Sequence, residues 1–178
     1  MYRDVLKFWF EEATPEQWFR KDDAFDHAIT RRFSALHGRA ARCELYAWRS
    51  EAEGRLAEII VLDQFSRNMY RDMPQAFAWD ALALALAQEA VAAGADAALE
   101  PRMRHFLYMP YMHSESVEIH RVADALFARL GNASALDYEQ KHKAIIDRFG
   151  RYPHRNDILG RASTPEEVAF LAQPGSRF

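Results

Sequence analysis

The stretch Arg55-Leu-Ala-Glu-Ile-Ile-Val-Leu-Asp-Gln-Phe-Ser-Arg-Asn-Met69 decides the fold. Its centre, Ile59-Ile-Val-Leu62, is a short apolar run that fits a buried strand as well as a buried helix, because period alone does not separate them. The flanks do separate them. Leu56-Ala-Glu58 and Asp63-Gln-Phe65 extend the pattern to about four helical turns. On a helix, Asp63 and Arg67 stand at i,i+4 and can pair. Gln64, Asn68 and Arg71 then share one face at spacings of four and three. With this segment read as helix, no alternating strand pattern is left, and the chain is predicted to be all-α.

The neighbouring segments agree. Val5, Leu6, Trp9 and Phe10 form one helical face. Thr14 and Pro15 start a short helix carrying Trp18 and Phe19. Asp22-Asp23 opens another, with Phe25, Ile29, Phe33 and Leu36 on its apolar face and Gly38 expected to stop it. Residues 39–49 read as a further helix bearing Leu45 and Trp48, and Gly54 as punctuation. Downstream, Pro74 is expected to open an alanine-rich helix to about Ala93, closed by Gly94. Pro101 and Pro110 bracket a short piece with Phe106, Leu107 and Tyr108. Ser114 is expected to cap a helix ending at Gly131. The next helix spans roughly Asp137 to Phe149 and ends at Gly150. Thr164, Pro165 and Glu167 form a capping box for the last. Short turns between helices suggest stacked antiparallel helix pairs, a tetratricopeptide-like α-α superhelix, in one domain over 1–178. No self-similarity near 34 residues supports a true repeat.

Composition narrows the function classes. The 178 residues include thirty alanines, counted along the sequence, and only 7 glycines, which favours helix. A net charge of -3 argues against non-specific nucleic-acid binding, which needs a basic surface. No apolar run is long enough to span a membrane, and Met1-Tyr-Arg-Asp4 does not start a secretory signal. The single Cys43 excludes a disulfide framework and fits a reducing, cytoplasmic setting; it reads as a small core residue.

Three polar clusters interrupt the apolar pattern. The first is Asp63, Gln64, Arg67, Asn68 and Arg71, with Asp80 set among apolar neighbours. A carboxylate there needs a partner, so Asp63 and Asp80 are expected to pair structurally with Arg67 and Arg71. The second is His113-Ser-Glu115 at a helix start. The third is the cationic turn Arg148, Arg151, His154 and Arg155 around Gly150 and Pro153, with His142 on the helix before it. Arginine forks suit carboxylate or phosphate. Together, Arg67, Asn68, His113, Glu115, Arg148, Arg151, His154 and Arg155 are the candidate walls of an anion-accepting pocket. His113 or His154 would move a proton if chemistry occurs there. No cofactor is expected: there is no GxGxxG, Walker loop or GxSxG elbow, and no fixed-spacing metal pair such as HExxH.

Taken together, the sequence resembles a bacterial family, domain of unknown function 924. The resemblance rests on Val5-Leu-Lys-Phe-Trp-Phe10, Trp18-Phe19, Phe25-Asp26, Gly54-Arg-Leu-Ala57, Leu62-Asp-Gln-Phe65, Arg67-Asn68, Phe77-Ala78 and Phe106-Leu-Tyr-Met-Pro110. It continues through His113-Ser-Glu115, Arg148-Phe-Gly-Arg151 and Pro153-His-Arg-Asn156 to Leu159-Gly-Arg161. One departure is His120, where similar proteins tend to carry glutamine. The resemblance implies an all-α, tetratricopeptide-like fold and transfers no catalytic residue. Two function classes are therefore expected. One is binding of a small anionic ligand, with or without chemistry. The other is a helical protein-interaction scaffold whose exposed apolar patch would draw on Trp9, Trp18 and Trp48. Neither class fixes an oligomeric state.

Overall fold

Every residue from Leu56 to Ser66 is buried, and every one is helical. The run is buried on all sides because protein packs against all sides of it, which removes the one-sided periodicity of a surface helix. This is the computed structural model of the chain, describing residues 1–176. Its contacts divide the chain into two compact units. The first comprises Met1–Arg71 and Gln75–Pro110, the second Asp72–Pro74 and the chain from Tyr111. Among the described residues no strand occurs and no helix is long and apolar enough to cross a membrane.

The first unit contains α1 (Tyr2–Lys7), α2 (Pro15–Phe19), α3 (Asp23–Ala41), α4 (Ala52–Ile60), α5 (Ser66–Met69), α6 (Asp80–Ala92) and α7 (Pro101–Met112) up to Pro110. Two π turns interrupt regular helix. One, Phe8–Glu12, continues α1; the other, Val61–Phe65, joins α4 to α5 without a break. α1 and α6 pack on α4, while α3 packs on the second π turn and α5. Val5, Trp9, Ile29, Leu56, Ile59, Ile60 and Phe65 are fully buried there. Burying each such side chain contributes about 1.5–3 kcal/mol. Trp9 therefore belongs to no exposed patch, and Trp18 is only half-buried.

Several helix ends differ from expectation for local reasons. Gly38 does not stop α3, which runs on to Ala41. The left-handed residue beyond the helix is Cys43, at φ 57, and its thiol-bearing side chain is exposed rather than in the core. The expected helix over 39–49 shrinks to a 3-10 turn at Tyr46–Ser50. Gly54 is not punctuation but lies inside α4, where a Cβ would overlap the Trp48 carbonyl oxygen. Pro74 opens only a 3-10 turn, Pro74–Phe77, and α6 begins at Asp80, which puts that carboxylate at the positive end of the helix dipole. Pro110 lies inside the last turn of α7 rather than closing a short piece; it brings no N–H for the carbonyl four residues before it.

The second unit contains α8 (Val117–Leu130), α9 (Ala133–Phe149) and α10 (Pro165–Leu171). α8 and α9 pack together and are joined through Gly131 at φ 72. Ser116, not Ser114, caps α8 by accepting the Ile119 N–H; the Ser114 carbonyl is taken by His120. α9 starts four residues before Asp137 because Asn132 caps it through the Ala135 N–H. Gly150, at φ 67, ends it as expected. Ile145, Ile146 and Tyr152 form a core cluster, with Phe149 and Phe170 packed against it. Thr164 and Glu167 make the expected capping box of α10.

Candidate functional site

In the first unit the π turn carries polar side chains into the interior. Asp63 is fully buried. Its Oδ1 accepts from Arg67 at 3.1 Å and its Oδ2 from Gln64 at 2.6 Å. Arg67 also forks onto Asp80 with two bonds of 2.9 Å. One guanidinium thus answers two carboxylates, as the i,i+4 spacing foretold for Asp63. The partner of Arg71 is different from the one expected. Arg71 forks onto Asp26 of α3 at 2.6 and 2.9 Å, and Asn68 donates to the same carboxylate at 2.7 Å. In the sequence Asp26 stood out only as a first-turn acid and within the Phe25-Asp26 stretch of the family resemblance.

The same helix holds a buried Ser–His contact. His37 Nε2 lies 2.8 Å from Ser66 Oγ, and Ser66 Oγ lies 2.5 Å from the Leu62 carbonyl. The carbonyl only accepts, so the hydroxyl hydrogen goes to it and His37 donates to the serine. This is the reverse of an activated nucleophile, whose proton must point at the imidazole. Burial lowers the His37 pKa, which keeps the ring neutral.

In the second unit the cationic turn is met by acids. Arg151 forks onto Glu167 at 2.7 and 2.8 Å. Hydrogen bonding from Arg151, against a smaller opposing effect of burial, lowers the Glu167 carboxyl to about 2. Arg161, outside the predicted set, forks onto Glu115 at 2.6 and 2.9 Å, and the Tyr152 N–H adds a bond of 2.8 Å to Glu115. Burial would raise the Glu115 pKa, but these donors outweigh it and the net shift is downward. Arg155 donates to the His113 carbonyl at 3.1 Å and lies over the Tyr152 ring. The His154 ring sits 5.5 Å from that same ring.

Tyr152 is the hub of this unit. Its hydroxyl donates to the Met112 carbonyl at 2.5 Å and faces His120 Nε2 at 3.1 Å. His142 also approaches its ring. Burial lowers the His142 pKa to about 3, so that ring is neutral. His120 in turn meets Glu139. Sequence reasoning missed Glu139, Arg161 and the place of His120. A signal existed: Glu139 and His142 fall on the same helical stripe as Ala135, Ile145 and Ile146, all buried.

The eight predicted pocket residues are thus divided between the units. Arg67 and Asn68 belong to the first, and His113, Glu115, Arg148, Arg151, His154 and Arg155 to the second. Among the described residues no three His, Cys, Asp or Glu side chains are grouped to hold a metal ion. One predicted residue borders an open groove of about 280 Å³ in the second unit. Arg148 and Lys141 supply its charge, and Ile145, Phe149 and Phe170 its apolar wall. Arg148 lies over both phenyl rings, 4.7 Å from Phe149 and 5.9 Å from Phe170. Its acid partner Glu166 is 64% exposed.

A family profile described as a bacterial protein of unknown function, DUF924, matches residues 5–175. A solved structure of a protein of unknown function, ATU0120 from Agrobacterium tumefaciens, is 41% identical, with a TM-score of 0.92 over 96% of each chain. No match is found among curated proteins.

Proposed function

The chain belongs to the bacterial DUF924 family of unknown function, and from the geometry of its second unit we propose that it binds a small anion with an apolar body. The observation that carries this reading is Arg148 beside the groove. Its ion pair with Glu166 is exposed on both sides, 48% and 64%, so it is weak and exchangeable. Arg151 is instead forked onto Glu167, which is 2% exposed, and that partner is not given up easily. A ligand carboxylate or phosphate would replace Glu166 on Arg148, with Lys141 as a second cation. Its apolar body would lie against Phe149 and Phe170. The groove volume is close to the lower bound of small-molecule sites, roughly 300 Å³. The single cysteine fits a reducing, cytoplasmic setting.

The test is a thermal-shift titration with phenylacetate and phenyl phosphate, using acetate and inorganic phosphate as controls. A ligand at a hundred times its Kd stabilises by about 2.7 kcal/mol. The aromatic anions should raise Tm, the controls should not, and Arg148→Ala should abolish the effect. No shift with either aromatic anion, or an equal shift in Arg148→Ala, would reject the reading.

A second reading is a helical interaction scaffold with purely structural polar clusters. It is favoured by the forked pairing of Arg67, Arg71, Arg151 and Arg161 with carboxylates. It predicts that no small anion shifts Tm and that Arg151→Ala lowers stability without altering any ligand response.

A further inference from the structure

His120 on α8 and Glu139 on α9 meet in the interior of the second unit, each 0% exposed, with Nδ1 and Oε1 2.7 Å apart. Their hydrogens follow from their partners. His120 Nε2 lies 2.9 Å from the Ser114 carbonyl, which only accepts, so Nε2 bears a hydrogen. The Tyr152 hydroxyl gives its own hydrogen to Met112 and faces Nε2 as an acceptor too. On the other side of the ring, a bare Nδ1 and a carboxylate oxygen would be two acceptors in contact. A hydrogen must stand between them. On either atom it leaves the pair one proton richer than a neutral imidazole with a carboxylate.

The second oxygen of Glu139 sharpens this count. Oε2 is buried and has no hydrogen-bond partner among the described residues. An ionised carboxylate there would strand charge in the interior, whereas a carboxylic acid leaves only a carbonyl oxygen. Burial accordingly raises the Glu139 pKa, against the opposing effect of its hydrogen bond to His120. Two charges act on it more weakly: Asp124 of α8 favours keeping the proton and Lys143 of α9 favours losing it. His142, also on α9, feels the charges of His113, His120 and His154.

We propose that folding of the second unit captures one proton on the His120–Glu139 pair, and that release of this proton unlatches α8 from α9. The proposal does not depend on any ligand of the groove. Above about pH 6.5 an unfolded chain holds a neutral histidine and an ionised glutamate, so it lacks the captured proton. The native state binds more protons there, and its stability falls as pH rises. Below that pH the unfolded histidine carries a proton of its own, and the pair contributes no slope down to the carboxylate range.

The experiment is urea unfolding of the full chain from pH 6 to 9, followed by the backbone amide resonances of α8 and α9. The unfolding constant of this unit should rise about tenfold per pH unit above pH 7. Glu139→Gln gives Nδ1 an amide donor with no proton to lose, and His120→Gln removes the titrating ring; both should flatten the profile. A flat wild-type profile, or an undiminished slope in Glu139→Gln, would overturn the proposal. Should both variants fail to fold, the ¹⁵N spectrum of the wild-type His120 ring decides. A protonated Nε2 and an unchanged Nδ1 signal from pH 5.5 to 8 support the latch. An ordinary titration near pH 6.5 removes it.

Discussion

Each unit buries a carboxylate completely, but the first gives it arginine and the second gives it histidine. Asp63 has both oxygens satisfied, by Arg67 and Gln64. Glu139 has one oxygen on His120 and the other on nothing among the described residues. The desolvation cost is of the same kind in both places. The counter-charge is not: guanidinium stays protonated at any pH a protein survives, while an imidazole–carboxyl pair keeps its proton conditionally. On the proposed latch, the Asp63 site is therefore constant across pH and the Glu139 site responds to it.

The largest way to break this contrast is Arg67→Ala. It strands Asp63 and leaves Asp80 without its fork, so the first unit should lose about 3–5 kcal/mol in urea unfolding. A loss below about 1 kcal/mol would mean that the pair is not the anchor it looks. Next comes acid. With its pKa near 3, His142 is neutral when folded and protonates when unfolded below about pH 6.5. Stability should fall as pH drops through that window, by about a hundredfold in the unfolding constant over two pH units. His142→Gln should remove this part of the acid limb from α9 resonances. His37, also lowered by burial, gives the first unit a limb of the same sign. The two must therefore be separated unit by unit. Tyr152→Phe should cost about 1–3 kcal/mol by leaving the Met112 carbonyl and His120 without the hydroxyl. Arg148→Ala should be smallest, under about 1 kcal/mol, since both members of its pair are exposed. A larger loss would make it structural and weaken its assignment to a ligand.

What was legible in the sequence was local. Asp63 and Arg67 sit one helical turn apart, so the pairing is written in the spacing. Asp26 and Arg71 are separated by 45 positions, and no periodicity connects them. Glu139 was readable as an acid on an apolar stripe, but which residue faced it depended on how α8 and α9 pack. Helix ends show the same divide. Gly94, Gly131 and Gly150 take positive φ and close helices as read. Gly38 and Gly54 are the same residue type in helical backbone, one a passenger and one making room for the Trp48 carbonyl. Burial on all sides hid the period of Ile59 to Leu62, and only its flanks revealed the helix.

The π turn at Val61–Phe65 separates helix length from side-chain phase. It accommodates one residue more than the α-helical turn it replaces. A chain lacking one residue there can re-form the ordinary ladder within the same turn, so the positions beyond it keep nearly their present phase. Arg67, Asn68 and Arg71 would still reach Asp80 and Asp26. Such a deletion should keep both the helical circular-dichroism signal and cooperative unfolding, with its cost confined to the packing of the turn itself. The extra residue is slack taken up in one turn, and the forks of Arg67 and Arg71 are set beyond it.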